Sequence, residues 1–255
     1  MTRVSSVELR AVPGLPMIQA GDDLASLLAR GLEPMAPRDD DVLVLAQKIV
    51  SKAEGRMVDI ATITPSPRAV QLAAEVQKDP RLVELVLSES VRVVRSRPNV
   101  LIVEHRLGFV MANACIDQSN VGPQDGVQRA LLLPKDPDGS AEKLRAALAA
   151  RFKVKLAVVV IDSFGRAWRR GTCGVAIGAA GLPALLDLRG NPDLFGRELQ
   201  VSISGFADEI AAAASLVMGQ GNEGQPAVLV RGLTWTAKDN PASELVRPAA
   251  EDMFR

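Results

Sequence analysis

The apolar segment KLAVVVID, residues 155–162, is the strongest predicted strand of the chain, and it ends in an acidic residue. Asp162 opens the polar island DSFGRAWRRG (162–171), and a second island, ANACIDQSN (112–120), places Asp117 after another apolar run. Two carboxylates at different strand ends could hold one divalent cation, because Mg²⁺ and Mn²⁺ prefer oxygen ligands. Taken alone, each aspartate is equally well interpreted as a turn residue or a cap instead of a metal ligand.

Outward from this strand, strands and helices mix without a regular βαβ repeat. This order predicts an α+β (mixed α/β) fold with irregular mixed sheets and packed helices, and argues against a Rossmann or P-loop fold. We expect one domain over residues 1–255, which could consist of two interlocked lobes. The four alanines at 211–214 permit a close backbone approach to a sheet or to a second subunit.

The individual elements follow from hydrophobic periodicity and capping residues. Strands are predicted at 4–12, 41–47, 155–162, 199–205 and 226–233, with two more joined by a tight turn at Leu107-Gly108. Helices are predicted for DLASLLARGL capped by Asp22 or Asp23, for 67–79, 80–93, SAEKLRAALAARF capped by Ser140, and ADEIAAAASLVMG. After Asp162 we expect a Gly-rich polar stretch and an apolar connector that leads to the strand 199–205.

Composition excludes several classes of protein. The 30 basic and 30 acidic residues cancel, and aromatic residues make up 3% with no Tyr, so nucleic-acid binding is not expected. We expect neither a signal peptide nor a membrane span, because the N-terminal residues lack a long apolar core and no segment gives about 18 uninterrupted apolar residues. With Cys115 and Cys173 as the cysteines, we expect a cytoplasmic protein in a reducing compartment.

The single histidine, His105, is interpreted as an exposed or edge-strand residue. Neither cysteine and no serine lies in a recognisable nucleophile motif. Hydrolysis through an acyl-enzyme intermediate is therefore not expected.

The segment GQGNEG, residues 219–224, matches the G-x-G-x-x-G pattern, but it follows a predicted helix and precedes a strand. The dinucleotide fingerprint needs the opposite order, and no P-loop motif is present. The segment is therefore either a simple connecting loop or a loop whose backbone N–H groups approach an anion or a nucleotide. In the second case Gln220 and Glu223 would be its side-chain ligands.

Two groups of basic residues lie near these islands. Lys48 and Lys52 are four residues apart, so a helix would place both on one face, either solvated or binding phosphate. Arg166, Arg169 and Arg170 are either surface charge or a cluster for carboxylate or phosphate groups. Trp168 lies within that cluster and could stack on a ligand ring.

At these islands the chain resembles the coenzyme F420-0:L-glutamate ligase family, and the resemblance covers nearly the whole chain. The resemblance is carried by ordered blocks, including GLPMIQAGDDLA, DVLVLAQKIVSKAEGR, ANACIDQSN, VVVIDSFGRAWRRGTCGVAIGAAG and ADEIAAAASLVMGQGNEGQPAVLVRGL. It implies an enzyme that uses GTP and Mg²⁺ or Mn²⁺ to join L-glutamate to the carboxylate of F420-0 through an acyl phosphate. Further γ-linked glutamates could follow, and a requirement for K⁺ is left open.

The resemblance also implies roles for particular residues. Asp117, Asp162, Ser163 and Gln220 match metal-ligand positions, and Asp117 and Asp162 act in catalysis, with Arg166 or Arg169 holding an anionic substrate group. Cys115 stands where the family commonly has Gly. Nucleotide contacts are implied for Leu15, Pro16, Met17, Ile18, Gln47, Lys48, Lys52, Asn120, Met218, Gly219, Gln220, Gly221, Asn222, Glu223, Gly224 and Gln225.

Family members tend to be homodimers with the active site near the subunit interface, so a homodimer is implied here. Some relatives carry a reductase domain after the ligase domain, and we expect none here because the chain stops at Arg255. Two alternatives stay open. One is a nucleotide-dependent ligase acting on another carboxylate, such as a peptide or a folate-like acceptor, and the other is a non-catalytic GTP-binding module.

Overall fold

The computed structural model describes residues 6–122 and 125–253. Its strands, in chain order, are β1 (Glu8–Ala11), β2 (Val42–Ala46), β3 (Met57–Asp59), β4 (Ser90–Arg97), β5 (Val100–His105), β6 (Val110–Ala112), β7 (Arg129–Leu131), β8 (Ala157–Arg166), β9 (Arg169–Ala180), β10 (Leu186–Asp187), β11 (Ile203–Ser204) and β12 (Ala227–Arg231). Its α-helices are α1 (Leu24–Leu32), α2 (Gln47–Ala53), α3 (Pro67–Val76), α4 (Pro80–Ser88), α5 (Pro137–Phe152) and α6 (Phe206–Met218).

The strands form four sheets. A five-stranded sheet has the order β1-β12-β2-β8-β9, in which β2 and β8 are parallel and the other neighbours are antiparallel. A three-stranded antiparallel sheet has the order β4-β5-β6, and β3-β7 and β10-β11 form two-stranded sheets. This mixed arrangement confirms the predicted α+β class.

Both faces of the five-stranded sheet are buried. Side chains alternate along a strand, so Leu43 and Leu45 pack on one face, in the core shared with α1 and α5. Val42 and Val44 pack on the other face, against α6. Burial on both faces explains the uninterrupted apolar runs by which β2 and β8 were predicted from the sequence.

A separate core lies between the three-stranded sheet and the helices α3 and α4. It includes Val83, Leu101, Val103 and Ala114, all fully buried. Because Ala114 lies within the island that carries Asp117, this second core holds one end of that island in place.

The largest difference from the sequence-based expectation is β9. This twelve-residue strand pairs with β8 from Val158 to Arg166, where the sequence had indicated a Gly-rich polar stretch. Its glycines are needed for close packing. A Cβ on Gly174 would overlap the Ala211 carbonyl of α6, and one on Gly178 would overlap the Pro137 carbonyl of α5. The alanines of α6 thus approach a sheet, one of the two predicted alternatives.

Four other element predictions need correction. The predicted helix 80–93 ends at Ser88, because the β-branched residues that follow pair in β4. The predicted strand 199–205 is paired only at Ile203–Ser204. Asp136, not Ser140, caps α5 by accepting from the Gly139 N–H, while the Ser140 hydroxyl contacts Glu54. The predicted strand 4–12 is observed at Glu8–Ala11, and residues 4 and 5 lie outside the described residues.

His105 is fully buried in the central strand of the three-stranded sheet, so its predicted exposed or edge-strand position was wrong. Its Nδ1 atom accepts a hydrogen bond from the Leu107 N–H at 3.0 Å, which places the ring proton on Nε2. The Nε2 atom lies 3.6 Å from the Glu89 carboxylate. The hydrogen bond from the Leu107 N–H and the nearby Glu89 carboxylate therefore account for the burial of His105.

Glu89 is the centre of that cluster. Its Oε2 atom lies 3.0 Å from Arg56 Nη2 and 2.9 Å from Arg106 Nη2. Burial raises the pKa of Glu89, but His105, Arg56 and Arg106 together outweigh burial and lower it to about 2. Because Arg56 follows α2 and Arg106 follows β5, the cluster ties the three-stranded sheet to the end of α2.

In the part of the chain that the structure describes, no helix has both the length and the apolar composition to cross a membrane.

Gly174→Ala should destabilise the fold, because the added methyl group would overlap backbone atoms of α6. We expect a loss of about 1–3 kcal/mol in the free energy of unfolding, measured by urea denaturation. Gly165→Ala is the matched control in the neighbouring strand, since a Cβ there meets nothing within 4 Å. Equal stability of the two variants would show that β9 and α6 are not in close contact.

The Glu89 cluster should make stability depend on pH in acid. The pKa of Glu89 is depressed in the folded state, so its contribution is complete above about pH 4.5 and is lost as the pH falls towards about 2. Thermal unfolding across this range should show a smaller decline for Glu89→Gln than for the unchanged protein. Parallel curves for the two proteins would contradict this assignment.

Candidate active site

The parallel pairing of β2 with β8 fixes the centre of the site. Ala46 is opposite Ile161, so the next residues, Gln47 and Asp162, lie at the same level of the sheet. Asp162 lies within β8 at the point where its buried half ends, and its carboxylate accepts a hydrogen bond from the Ser163 N–H at 2.8 Å. The sequence placed Asp162 at the strand end, whereas β8 continues to Arg166.

Asp117 reaches the site by a different route. After β6 the chain passes through Asn113, Ala114 and Cys115, which all have left-handed backbone angles, with φ of 51°, 51° and 52°. Such angles are unfavourable for residues other than glycine and persist only where the surroundings hold them. Beyond them, Asp117 forms reciprocal backbone hydrogen bonds with Leu131, of 3.0 and 2.8 Å. Its backbone is thus held by pairing, and its side chain is not a helix cap.

The helix α2 brings two polar side chains to Asp117 and a third that contacts the first of them. Gln47, 1% exposed, donates from Nε2 to Asp117 Oδ2 at 2.8 Å, and Lys48 Nζ lies 3.3 Å from the same oxygen. The Ser51 hydroxyl donates to Gln47 Oε1 and so fixes the orientation of the amide. Ser51 was not predicted as part of the site, although its position one helical turn after Gln47 could have indicated it.

Lys52 lies on the same face of α2, as predicted. Lys52 is only 7% exposed, which excludes the alternative of a solvated helix face for this residue. Its Nζ donates to the Asn120 carbonyl at 2.7 Å, and Lys48 Nζ donates to the Ser119 carbonyl at 3.2 Å. Burial and the neighbouring Lys48 lower the pKa of Lys52, against an opposing effect of Asp117.

The charge of Asp117 acts on the buried carboxyl group of Asp162. Burial, followed by the charge of Asp117, raises the pKa of Asp162 to about 6. Burial also raises the pKa of Asp117, although Lys48 and Gln47 act in the opposite direction. Burial and both carboxylates raise the pKa of the Cys115 thiol well above its usual value. Cys115 is therefore a neutral thiol that lies beside the two aspartates.

The loop after α6 is hydrogen-bonded to Asn120, which ends the island that carries Asp117. Asn120 Nδ2 donates to the Gly221 carbonyl at 3.0 Å, and the Glu223 carboxylate accepts from the Gly221 N–H at 2.8 Å. The buried Met218 ends the helix, and Gly219, Gln220, Asn222, Gly224 and Gln225 complete the loop, with Gln220 exposed. The loop is thus attached to the same segment as the two lysines.

The predicted residues Leu15, Pro16, Met17 and Ile18 precede α1. Ile18 is buried in the core with α2, whereas Met17 is 78% exposed. Just after them, the Gly21 N–H donates to the carbonyl of Ala53 in α2. This segment therefore lies against the helix that carries Gln47 and the two lysines.

Arg166 and Arg169 are not brought beside the two aspartates. They pair with each other at the exposed turn of the β8-β9 hairpin. Arg166 lies four residues beyond Asp162, which is about 13 Å along an extended strand. Trp168, in the turn between them, has φ of 59° and is 82% exposed.

The chemistry of the cluster suits a hard cation and a phosphate ligand. Among residues 6–122 and 125–253, no group of three or more His, Cys, Asp or Glu side chains could hold a metal ion. The donors that the structure brings together are the carboxylates of Asp117 and Asp162, both beside Cys115, whereas Gln220 lies exposed in the loop after α6. Such a set fits a magnesium-like ion, which commonly uses one or two carboxylates and completes its shell with water and phosphate oxygens.

Comparison with known proteins supports an enzymatic interpretation. The family model for F420-0:Gamma-glutamyl ligase matches residues 14–232. A protein named Coenzyme F420:L-glutamate ligase from Methanothermobacter thermautotrophicus is 46% identical, over 98% of this chain and 99% of its own length. Proteins of the same name from Archaeoglobus fulgidus and Methanopyrus kandleri are 44% and 42% identical, over 98% and 100% of this chain and 96% and 100% of their own lengths.

The family match covers every predicted metal and nucleotide residue, from Leu15 to Gln225. It leaves no support for a non-catalytic binding module. The chain belongs to the F420-0:Gamma-glutamyl ligase family and is a ligase that forms a C–N bond.

Proposed function

We propose that this protein joins L-glutamate to coenzyme F420-0 in F420 biosynthesis, using GTP and Mg²⁺ or Mn²⁺, and that further γ-linked glutamates can be added. The relatives named Coenzyme F420:L-glutamate ligase support the substrates. The structural observation that carries the proposal is the pair of partly buried aspartates, Asp117 and Asp162, beside Gln47, Lys48 and Lys52. This arrangement combines carboxylates for a cation with lysines for phosphate.

The reaction requires activation because a carboxylate does not react with an amine at neutral pH. In the proposed first step, an oxygen of the F420-0 carboxylate attacks the γ-phosphorus of GTP, and the bond to the GDP oxygen breaks. In the second step, the amino nitrogen of glutamate attacks the acyl carbon. The amide bond forms, inorganic phosphate leaves and the nitrogen loses its proton. No covalent intermediate with the protein is required, in agreement with the lack of a nucleophile motif.

The divalent cation would be held by Asp117 and Asp162, with Ser163 and Gln220 as neutral oxygen donors. When bound, it supplies charge neutralisation for the phosphate groups. Burial and the charge of Asp117 both raise the pKa of Asp162, and a bound cation would offset these effects by stabilising the ionised carboxylates.

The other residues of the site bind and orient the substrates in this proposal. Lys48 and Lys52 neutralise phosphate charge, and Gln47 holds the Asp117 carboxylate in place through its 2.8 Å hydrogen bond. Asn120, the loop Met218–Gln225 and the segment Leu15–Ile18 contact the nucleotide. Arg166 and Arg169, at the exposed hairpin turn, bind an anionic group of F420-0 at a distance from the reacting atoms.

The purified protein should convert F420-0, L-glutamate, GTP and Mn²⁺ to a product heavier by one or more glutamyl units. Mass spectrometry would detect the product, and one GDP should form for each glutamate added, because each amide requires one activated carboxylate. Reactions without GTP, or without F420-0, are the controls. Ligation of glutamate to a different carboxylate, with none to F420-0, would overturn the proposed acceptor.

Asp117→Asn should weaken Mn²⁺ binding at least about tenfold, because it removes one of two carboxylates from the proposed cation site. Free Mn²⁺ can be measured by electron paramagnetic resonance with and without GTP. Asp187→Asn is the control, since Asp187 is exposed in β10 and paired with Arg189. Unchanged Mn²⁺ affinity in Asp117→Asn would exclude this residue as a ligand.

We also propose that the protein is a homodimer. Support comes from large apolar side chains that are almost fully exposed on the segment between β10 and β11, notably Leu194 at 98% and Phe195 at 95%. Exposed apolar groups of this size commonly mark an interaction surface. A second copy of the chain is the occupant that the family resemblance implies.

Replacing Leu194 and Phe195 together by serine should therefore shift the protein from dimer to monomer. Light scattering coupled to size-exclusion chromatography measures the mass directly. Val91→Ser is the control, because Val91 is 67% exposed on β4, outside the segment. A double variant that stays dimeric would move the interface elsewhere.

A further inference from the structure

The loop after α6 holds one of its own acidic side chains against its backbone. The chain leaves α6 through Gly219, which has φ of 72°, and turns back so that Glu223 faces the start of the loop. The Glu223 Oε2 atom accepts the Gly221 N–H at 2.8 Å. A Cβ on Gly219 would overlap the Glu223 carboxyl group, so this carboxylate lies directly on the glycine backbone.

This contact is unusual for an exposed glutamate. Glu223 is exposed, and water could satisfy its carboxylate without any folding back. Hydrogen bonds from the backbone of Glu223 itself, Gly221 and Gln220 lower the pKa of Glu223. Successive backbone N–H groups that converge on one anion form the kind of concave site that also binds phosphate oxygens.

The surroundings of the loop suit an anion as well. The Gly221 carbonyl is held by Asn120, and the Asn120 carbonyl is held by Lys52. Lys48 is attached to the adjacent Ser119. A multiply charged phosphate group on the loop would be close to the segment that binds both lysines, and would gain more from them than a single carboxylate does.

We propose that Glu223 is an internal competitor for a phosphate group of the nucleotide: its carboxylate occupies the backbone N–H donor of Gly221 until a phosphate group displaces it. The inference rests on the proposed use of a nucleotide and adds a gating step to it. Displacement frees the Glu223 side chain, so nucleotide binding and the conformation of the loop are coupled through one hydrogen-bonding site.

Two other roles for Glu223 predict different behaviour. If its carboxylate is mainly a brace that keeps the loop in shape, removing it weakens phosphate binding. If it is a direct ligand of the nucleotide or its cation, removing it also weakens binding. Only a competitor leaves phosphate binding stronger when it is removed.

The test uses Glu223→Ala and Glu223→Gln in the full chain, with inorganic tripolyphosphate as the probe and no divalent cation. Isothermal titration calorimetry should show tighter binding by roughly three- to tenfold in Glu223→Ala, the range expected when a competing hydrogen bond to charged oxygen is lost. Glu223→Gln should fall between, because its amide oxygen can still accept the Gly221 N–H. Glu198→Ala, which removes an exposed negative charge elsewhere, should leave the affinity unchanged.

Unchanged or weaker binding in Glu223→Ala, or no tripolyphosphate binding to any variant, would overturn the inference. The Gly221 amide resonance in a ¹⁵N-labelled sample gives an independent reading, since it should move by a similar amount with Glu223→Ala and with tripolyphosphate. Failure of the proposed ligase activity is separate. Tighter tripolyphosphate binding without GTP-dependent ligation would leave the inference standing, and ligation with unchanged affinity would overturn the inference alone.

Discussion

The parallel alignment of β2 with β8 is the constraint on which the site depends. Because Ala46 is opposite Ile161, the strand that leads into α2 and the strand that carries Asp162 reach the same level of the sheet together. The helix α2 then places Gln47 and Lys48 against Asp117, which follows β6 of the three-stranded sheet. A shift of one residue in this pairing would turn the side chains of the strand to the opposite face and separate these groups.

The three parts of the site differ in how firmly they are held. Asp162 belongs to a buried sheet, and Asp117 is fixed by backbone pairing and by three left-handed residues that the second core holds in place. The loop of residues 219–225 is exposed and is attached mainly through Asn120. Rigid carboxylates beside an adaptable loop suit the proposed reaction, in which the cation position would be constant while nucleotide enters and leaves.

Much of this arrangement could be predicted from the sequence. Uninterrupted apolar runs identified β2 and β8, and the polar islands identified Asp117 and Asp162, because buried parallel strands and sites at their ends leave local patterns. Strand β9 could not be recognised, since its glycines serve contacts with α5 and α6 that are distant in sequence. The burial of His105 could not be recognised either, because it depends on Glu89 and on the Arg56 that pairs with Glu89, both distant in sequence. The separation of Arg166 and Arg169 from the aspartates depends on where β8 ends, and hydrophobicity ceases to mark that strand after Ile161.

The order of strands in the large sheet also bears on how the protein folds. More than a hundred residues separate Ala46 from Ile161, and β12, which lies on the other side of β2, comes still later in the chain. Closing so long a segment costs conformational entropy before the new contacts compensate for it. Pairings between distant segments therefore form slowly, and the three-stranded sheet with α3 and α4, built from neighbouring segments, is expected to form earlier. During synthesis, the segment that carries Asp117 would therefore fold well before β8, the strand that places Asp162 beside it, has been made.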